Sequence, residues 1–121
     1  MKTQITGAEL REMLLCAYEA LETNKQAINE LNVFPVPDGD TGTNMTLTIS
    51  TAAQELRRSG EERVGAVADK AASAMLRGAR GNSGVILSLL FRGIARGLKG
   101  KESCTAAEFA HAMREGVDAA Y

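Results

Sequence analysis

Residues 31–45 read Leu31-Asn32-Val33-Phe34-Pro35-Val36-Pro37-Asp38-Gly39-Asp40-Thr41-Gly42-Thr43-Asn44-Met45. Two prolines in three residues cannot sit inside a helix, and they hold Phe34 and Val36 extended. Gly39 and Gly42 follow, so this is a shaped loop between two helices. Upstream, Thr6-Gly7-Ala8-Glu9 has the spacing of a capping box and should open a first helix. Leu10, Leu14, Ala17, Leu21, Ile28 and Leu31 then recur at helical spacing to about Leu31, with Thr23-Asn24 as the one place to break. Downstream, a second helix should open near Thr43-Asn44 with Met45, Ile49, Ala52, Ala53 and Leu56 on one face. Arg57 and Arg58 close it, where the helix dipole favours cations.

The same reading extends outward. Ser59-Gly60-Glu61-Glu62 is a candidate cap for a third helix carrying Val64, Val67, Ala68, Ala71 and Met75. The run 78–84, Gly-Ala-Arg-Gly-Asn-Ser-Gly, breaks it. The fourth helix (Val85, Ile86, Leu87, Leu89, Leu90, Phe91, Ile94) is apolar on nearly every side, which predicts a central place in a bundle. Thr105-Ala106-Ala107-Glu108 is a second capping box, opening a fifth helix striped by Phe109, Met113, Val117 and Ala120. That pattern reaches Tyr121 without a C-cap. The expectation is an all-α antiparallel bundle of about five helices, one domain over residues 1–121 that is incomplete at its C-terminus.

Composition supports helices. Apolar residues are 45% of the chain and aromatics only 4%, so the core is aliphatic. Fourteen basic and fifteen acidic residues nearly cancel, which argues against a nucleic-acid surface. The longest apolar run, Val85–Phe91, is far short of the ~20 residues of a membrane span. No secretory signal opens the sequence, so a cytoplasmic location is expected. Cys16 and Cys104 are neither clustered nor spaced as metal ligands and read as reduced, buried thiols. His111 reads as a helix-surface residue, and Glu108 as a capping partner.

The chemistry concentrates in two loops. Asp38 and Asp40 flank Gly39, and carboxylates one residue apart in an extended turn can converge on one or two cations. Oxygen ligands select hard ions such as Mg²⁺, which keeps waters and takes further ligands from phosphates. The loop feeds a helix start at Thr41-Gly42-Thr43-Asn44, whose amides and dipole favour phosphate. In the second loop, the amides of Asn82, Ser83 and Gly84 open the fourth helix and can hold another side of a nucleotide. Arg80, and Arg77 a turn earlier, can neutralise phosphate charge. The plain alternatives are an Asx turn whose aspartates cap the second helix, and an ordinary Gly C-cap followed by an Asn or Ser N-cap.

Other motifs fit less well. Counted from Asp38, an EF-hand would need Gly and an acid where Thr43 and Ile49 stand. No glycine is followed by Lys and then Ser or Thr, so there is no Walker A loop. Asp38-Gly39-Asp40-Thr41-Gly42 partly matches the D-x-D-x-T/V of haloacid-dehalogenase phosphatases. That leaves a metal-dependent phosphatase with Asp38 as nucleophile as a rival, one that requires a parallel β-sheet.

Taken together, L-N-V-F-P-V-P-D-G-D-T-G-T-N-M (residues 31–45) and G-A-R-G-N-S-G-V-I-L-S (residues 78–88) resemble the nucleotide-binding, DhaL-type domain of the dihydroxyacetone kinase family. The nearer likeness is to the N-terminal domain of bacterial fatty acid kinase catalytic subunits. The resemblance runs from about Ile5 onward. It implies an all-α antiparallel barrel that binds ATP with two Mg²⁺ ions and transfers a phosphoryl group. The acceptor would be a fatty acid or a glycerone-like molecule, presented by a DegV-like fatty-acid-binding carrier protein or a substrate-binding domain. Asp38 and Asp40 would be the metal-holding catalytic residues. Thr41, Gly42, Thr43, Asn44, Arg80, Asn82, Ser83 and Gly84 would hold the nucleotide. Where dihydroxyacetone kinases carry a third aspartate, Asn32 stands as a further candidate metal ligand. Where relatives often have Gln after the Ser of the second motif, this chain has Leu89. The chain covers only the first five helices of such a barrel. A fragment that binds nucleotide without catalysing transfer is therefore the alternative, and apolar helix faces left open would permit a homodimer.

Overall fold

The computed structural model describes residues 3–31 and 39–121. The elements are β1 (Ile5–Thr6), α1 (Gly7–Glu30), α2 (Thr41–Arg57), α3 (Val64–Arg77), α4 (Gly81–Gly97), β2 (Ser103–Cys104) and α5 (Ala106–Ala120). The fold is all-α. Its only sheet among the described residues is an antiparallel pair of two-residue strands, with Ile5 opposite Cys104 and Thr6 opposite Ser103. Among the described residues there is no parallel sheet of the kind the phosphatase reading requires. No described helix is long and apolar enough to cross a membrane.

The two capping boxes form as their spacing predicts. Thr6 and Glu9 exchange side-chain and backbone bonds at the start of α1, and Thr105 and Glu108 do so at the start of α5. Helix α1 runs unbroken through Thr23-Asn24. Glu108 also accepts from Lys101 Nζ at 2.9 Å. The Thr105 amide first, and then Lys101, hold its carboxyl down to about 2, against 4.5 ordinarily. A carboxylate lowered in the folded state adds stability above its ordinary value, and that stability is lost as the pH falls through the folded one. The melting temperature should therefore decline from about pH 4.5 toward pH 2, and Glu108→Gln should flatten that decline in a calorimetric pH series.

Three expectations are corrected. Helix α3 has no side-chain cap, and it begins after Arg63 rather than at Ser59–Glu62. Its first amides are met instead by backbone from across the molecule. Val64 donates to the Glu102 carbonyl at 2.9 Å and Gly65 to that of Lys101 at 3.0 Å. The Ser59 hydroxyl accepts within its own turn, from the Glu61 amide. The amide and guanidinium of Arg63 bond the Glu61 carboxylate and hold its pKa below the usual value.

Second, the most deeply buried helix is α3 rather than α4, although α4 also packs against three helices, α2, α3 and α5. Eight of the fourteen residues of α3 are buried, among them Val64, Val67, Ala71 and Met75. It packs against α1, α2 and α4, and its alanines let those neighbours approach closely. In α4 the buried positions are Gly84, Ser88, Gly93, Ile94 and Ala95, while Val85 is 47% and Ile86 54% exposed. High apolar content alone does not say which residues of a helix are buried. Third, Cys104 is buried, with its thiol pKa pushed up by that burial, but Cys16 is exposed.

The core joins Leu10 and Leu14 of α1, Ile49 and Leu56 of α2, the α3 face, and Ile94 and Leu98 beyond. Helices α4 and α5 cross almost backbone to backbone. A Cβ on Gly93 would overlap the Gly116 backbone, and one on Gly116 would overlap the Leu90 carbonyl. His111 lies on the outer face of α5, 3.4 Å from the Glu115 carboxylate.

Candidate nucleotide site

Helix α2 begins at Thr41, two residues earlier than its sequence predicts, because the cap comes from another helix. Asn29, near the end of α1, accepts from the Thr43 amide through Oδ1 at 3.0 Å. Its Nδ2 donates to the Thr43 hydroxyl at 2.9 Å. This satisfies the third amide of the new helix. Asp40 occupies the N-cap position, and its carbonyl accepts from the Asn44 amide at 2.8 Å. Its side chain makes no cap bond to the helix. Asp40 is exposed, and Gly39 before it sits at φ +67°, a conformation glycine adopts without strain. Gly42 is buried against the Lys25 carbonyl of α1, with no room for a Cβ.

The second loop lands against this helix start. Thr48, one turn beyond Asn44, is fully buried. Its hydroxyl donates to the Asn44 carbonyl at 2.8 Å and accepts from the Arg80 amide at 3.0 Å. A Cβ on Gly84 would overlap that hydroxyl, and a Cβ on Gly81 would overlap the Asn44 carboxamide. Gly81 is at φ +65° and turns the chain into α4. Arg80 is the N-cap of α4 and supplies no side-chain cap. Among the described residues no acceptor meets the amides of Gly81, Asn82 and Ser83. Gly81 and Asn82 are exposed and Ser83 is half-buried. Three open amides at the positive end of a helix are ready to receive an anion.

Asn44, Arg80 and Gly84 thus meet through Thr48 and Gly81. Asp40, Thr41 and Asn44 come from the first loop, and Arg80, Asn82, Ser83 and Gly84 from the second. The structure turns Thr43 toward Asn29. Asn32 and Asp38 lie outside the described residues. Among the described residues no three His, Cys, Asp or Glu side chains cluster as a metal site. In chemistry the described donors suit a polyphosphate with its cation: a carboxylate, hydroxyl and amide oxygens, and the open amides of a helix start. Asn29 and Thr48 are contributors that sequence reading missed. Each works through a bond to another helix and has no local spacing signature.

Thr48 can be tested directly. Thr48→Val keeps the shape, removes the shared hydroxyl and leaves the Arg80 amide without its acceptor. Losing a part-buried hydrogen bond costs about 0.5–1.5 kcal/mol, so denaturant unfolding should show a loss in that range, with Thr48→Ser largely restoring stability.

An all-α domain with two loops apposed at the starts of its second and fourth helices is the class that fold and site define. A DAK2 domain model matches residues 35–121. The chain is 46% identical over 117 residues to protein YloV of Bacillus subtilis, covering 97% of this chain and 21% of that protein. It is 40% identical over 121 residues to an uncharacterized protein of Staphylococcus epidermidis, covering 100% of this chain and 22% of that protein. The chain belongs to the DAK2 domain family, a kinase-related family of nucleotide-binding domains. It spans about a fifth of the length of the curated relatives it matches.

Proposed function

We propose that the chain is the ATP-binding part of a phosphotransferase that works with Mg²⁺. The observation that carries this reading is the union of the two loops through Asn44, Thr48, Arg80, Gly81 and Gly84. It brings the start of α4 against the first turns of α2, which Asp40 precedes. Asp38 and Asp40 would hold up to two Mg²⁺ ions, with Asn32 as a further oxygen donor. Bound there, the ions would neutralise the charge of the β- and γ-phosphates. The amides of Gly81, Asn82 and Ser83 would orient the phosphate chain, with Arg80 adding positive charge. Catalysis of this kind is mainly positioning and charge neutralisation.

The acceptor we favour is a fatty acid, brought by a carrier protein or substrate-binding domain. Its carboxylate oxygen would bond to the γ-phosphorus as the bond to the bridging oxygen of ADP breaks, giving an acyl phosphate. A carboxylate arrives without a proton, so this transfer needs no general base. A glycerone-like acceptor would have to release its hydroxyl proton. A second reading is a nucleotide-binding piece that needs further domains for turnover. The small share of its relatives' length that the chain covers favours it.

Titration calorimetry of the chain with ATP decides the first element. Binding is expected with Mg²⁺ and should vanish when EDTA is added; equal binding in both conditions, or none in either, would remove the proposal. Acyl-phosphate formation by this chain, against that by a full-length relative, separates the two readings.

A further inference from the structure

Away from the two loops, α3 and the second half of α4 enclose an open groove of about 620 Å³. One wall is the stripe Gly65, Ala66, Asp69, Ala72, Ser73 and Leu76 along α3. These positions span twelve residues, roughly 16 Å of helix. The floor is apolar and low: Ala72 and Ala95 are buried, and Leu76 lies 56% exposed at one end.

The rest of the lining is mostly cationic. Arg63, Arg92, Arg96, Lys99 and Lys101 all line the groove, five of the chain's fourteen basic residues, facing Asp69 as the lining acid. Arg63 is engaged with Glu61 and Lys101 with Glu108. Arg92, Arg96 and Lys99 make no ion pair among the described residues and are exposed. Arg92 and Arg96 are four apart, so they stand on one face of α4. On a chain of net charge −1 this is a local concentration of positive charge, and the nucleotide site uses none of it.

We infer that this groove is the docking site for an acidic amphipathic helix of a partner protein. Three features select that occupant. The length matches about three helical turns. The low apolar floor ending in Leu76 accepts an apolar stripe, the usual way a helix fills a groove. The unpaired Arg92, Arg96 and Lys99 require carboxylates on the flank of that stripe, and such complementarity sets both register and encounter rate.

The test uses a fluorescein-labelled eighteen-residue peptide of Leu and Glu, patterned as an amphipathic helix, and reads anisotropy against the 121-residue chain. Saturable binding is expected. It should weaken at least tenfold in Arg92→Glu/Arg96→Glu and in Leu76→Asp, and fall as salt rises from low to high. All substituted side chains are exposed, so circular dichroism should stay helical. Absence of binding, equal binding by the charge-reversed chain, or equal binding of a peptide with Gln for Glu would overturn the inference. So would displacement of the peptide by tripolyphosphate at equimolar concentration, since that would mark a site for small anions. ATP binding at the two loops should be unchanged in these variants, so failure here leaves that reading standing, and the reverse.

Discussion

Asp40→Ala and Asp38→Ala are each expected to lower Mg²⁺-dependent ATP binding by at least roughly a hundredfold. Losing even an outer partner of a metal ligand costs on the order of ten- to a hundredfold, and a direct carboxylate ligand more. Asp40 is exposed at the head of α2, so its removal should leave the helical spectrum unchanged. Asp40→Asn should lie between wild type and Asp40→Ala, because an amide oxygen still ligates but brings no charge. Titration calorimetry at fixed Mg²⁺ measures the difference. Unchanged affinity in both alanine variants would leave the loop as a structural turn and end the phosphotransferase proposal.

Gly84→Val is expected to damage the site from the opposite side. Its side chain would occupy the space of the Thr48 hydroxyl, which is buried and held by two bonds. A β-branched, doubly bonded side chain cannot swing aside cheaply. Overpacking of this kind costs about 1–3 kcal/mol, and for a domain of this size each kcal/mol lowers the melting temperature by roughly 3–6 °C. The α4 start should also be pushed away from α2, so ATP affinity should fall together with stability. Ile86→Ala, two residues on but exposed, should change neither appreciably. A Gly84→Val chain with wild-type melting and binding would mean that the loops are not coupled through Thr48.

Much of the helical frame was legible because its signals are local. Both capping boxes are pairs three residues apart that satisfy each other, and each placed its helix start correctly. What failed was non-local. Helix α2 starts early because Asn29, twelve residues before Thr41, caps it. Helix α3 starts late because the carbonyls of Lys101 and Glu102, nearly forty residues downstream, meet its first amides. The strands β1 and β2 have no alternation to read over two residues. The rank of α3 over α4 depends on which alanines are surrounded, and composition carries no such information. At the site, the apposition of the two loops was expected from their residue types. The glycines that permit it act by making room for Asn44 and Thr48, a role visible only when both helices are in place.

The small sheet has a consequence for how the molecule assembles. Each pair of consecutive helices packs together, so four helical hairpins can form from contacts between chain neighbours. The Ile5–Thr6 and Ser103–Cys104 pairing is different. It closes a loop of almost the entire chain, with Gln4 and Ser103 bonded at 2.9 Å across 99 positions. Closing so long a loop costs several kcal/mol of chain entropy, and a two-residue ladder cannot repay it alone. The hairpins must therefore condense first, bringing the two strands within reach. The strap is then a late clasp, and local opening should begin there, while the deeply buried α3 stays folded until the whole domain melts.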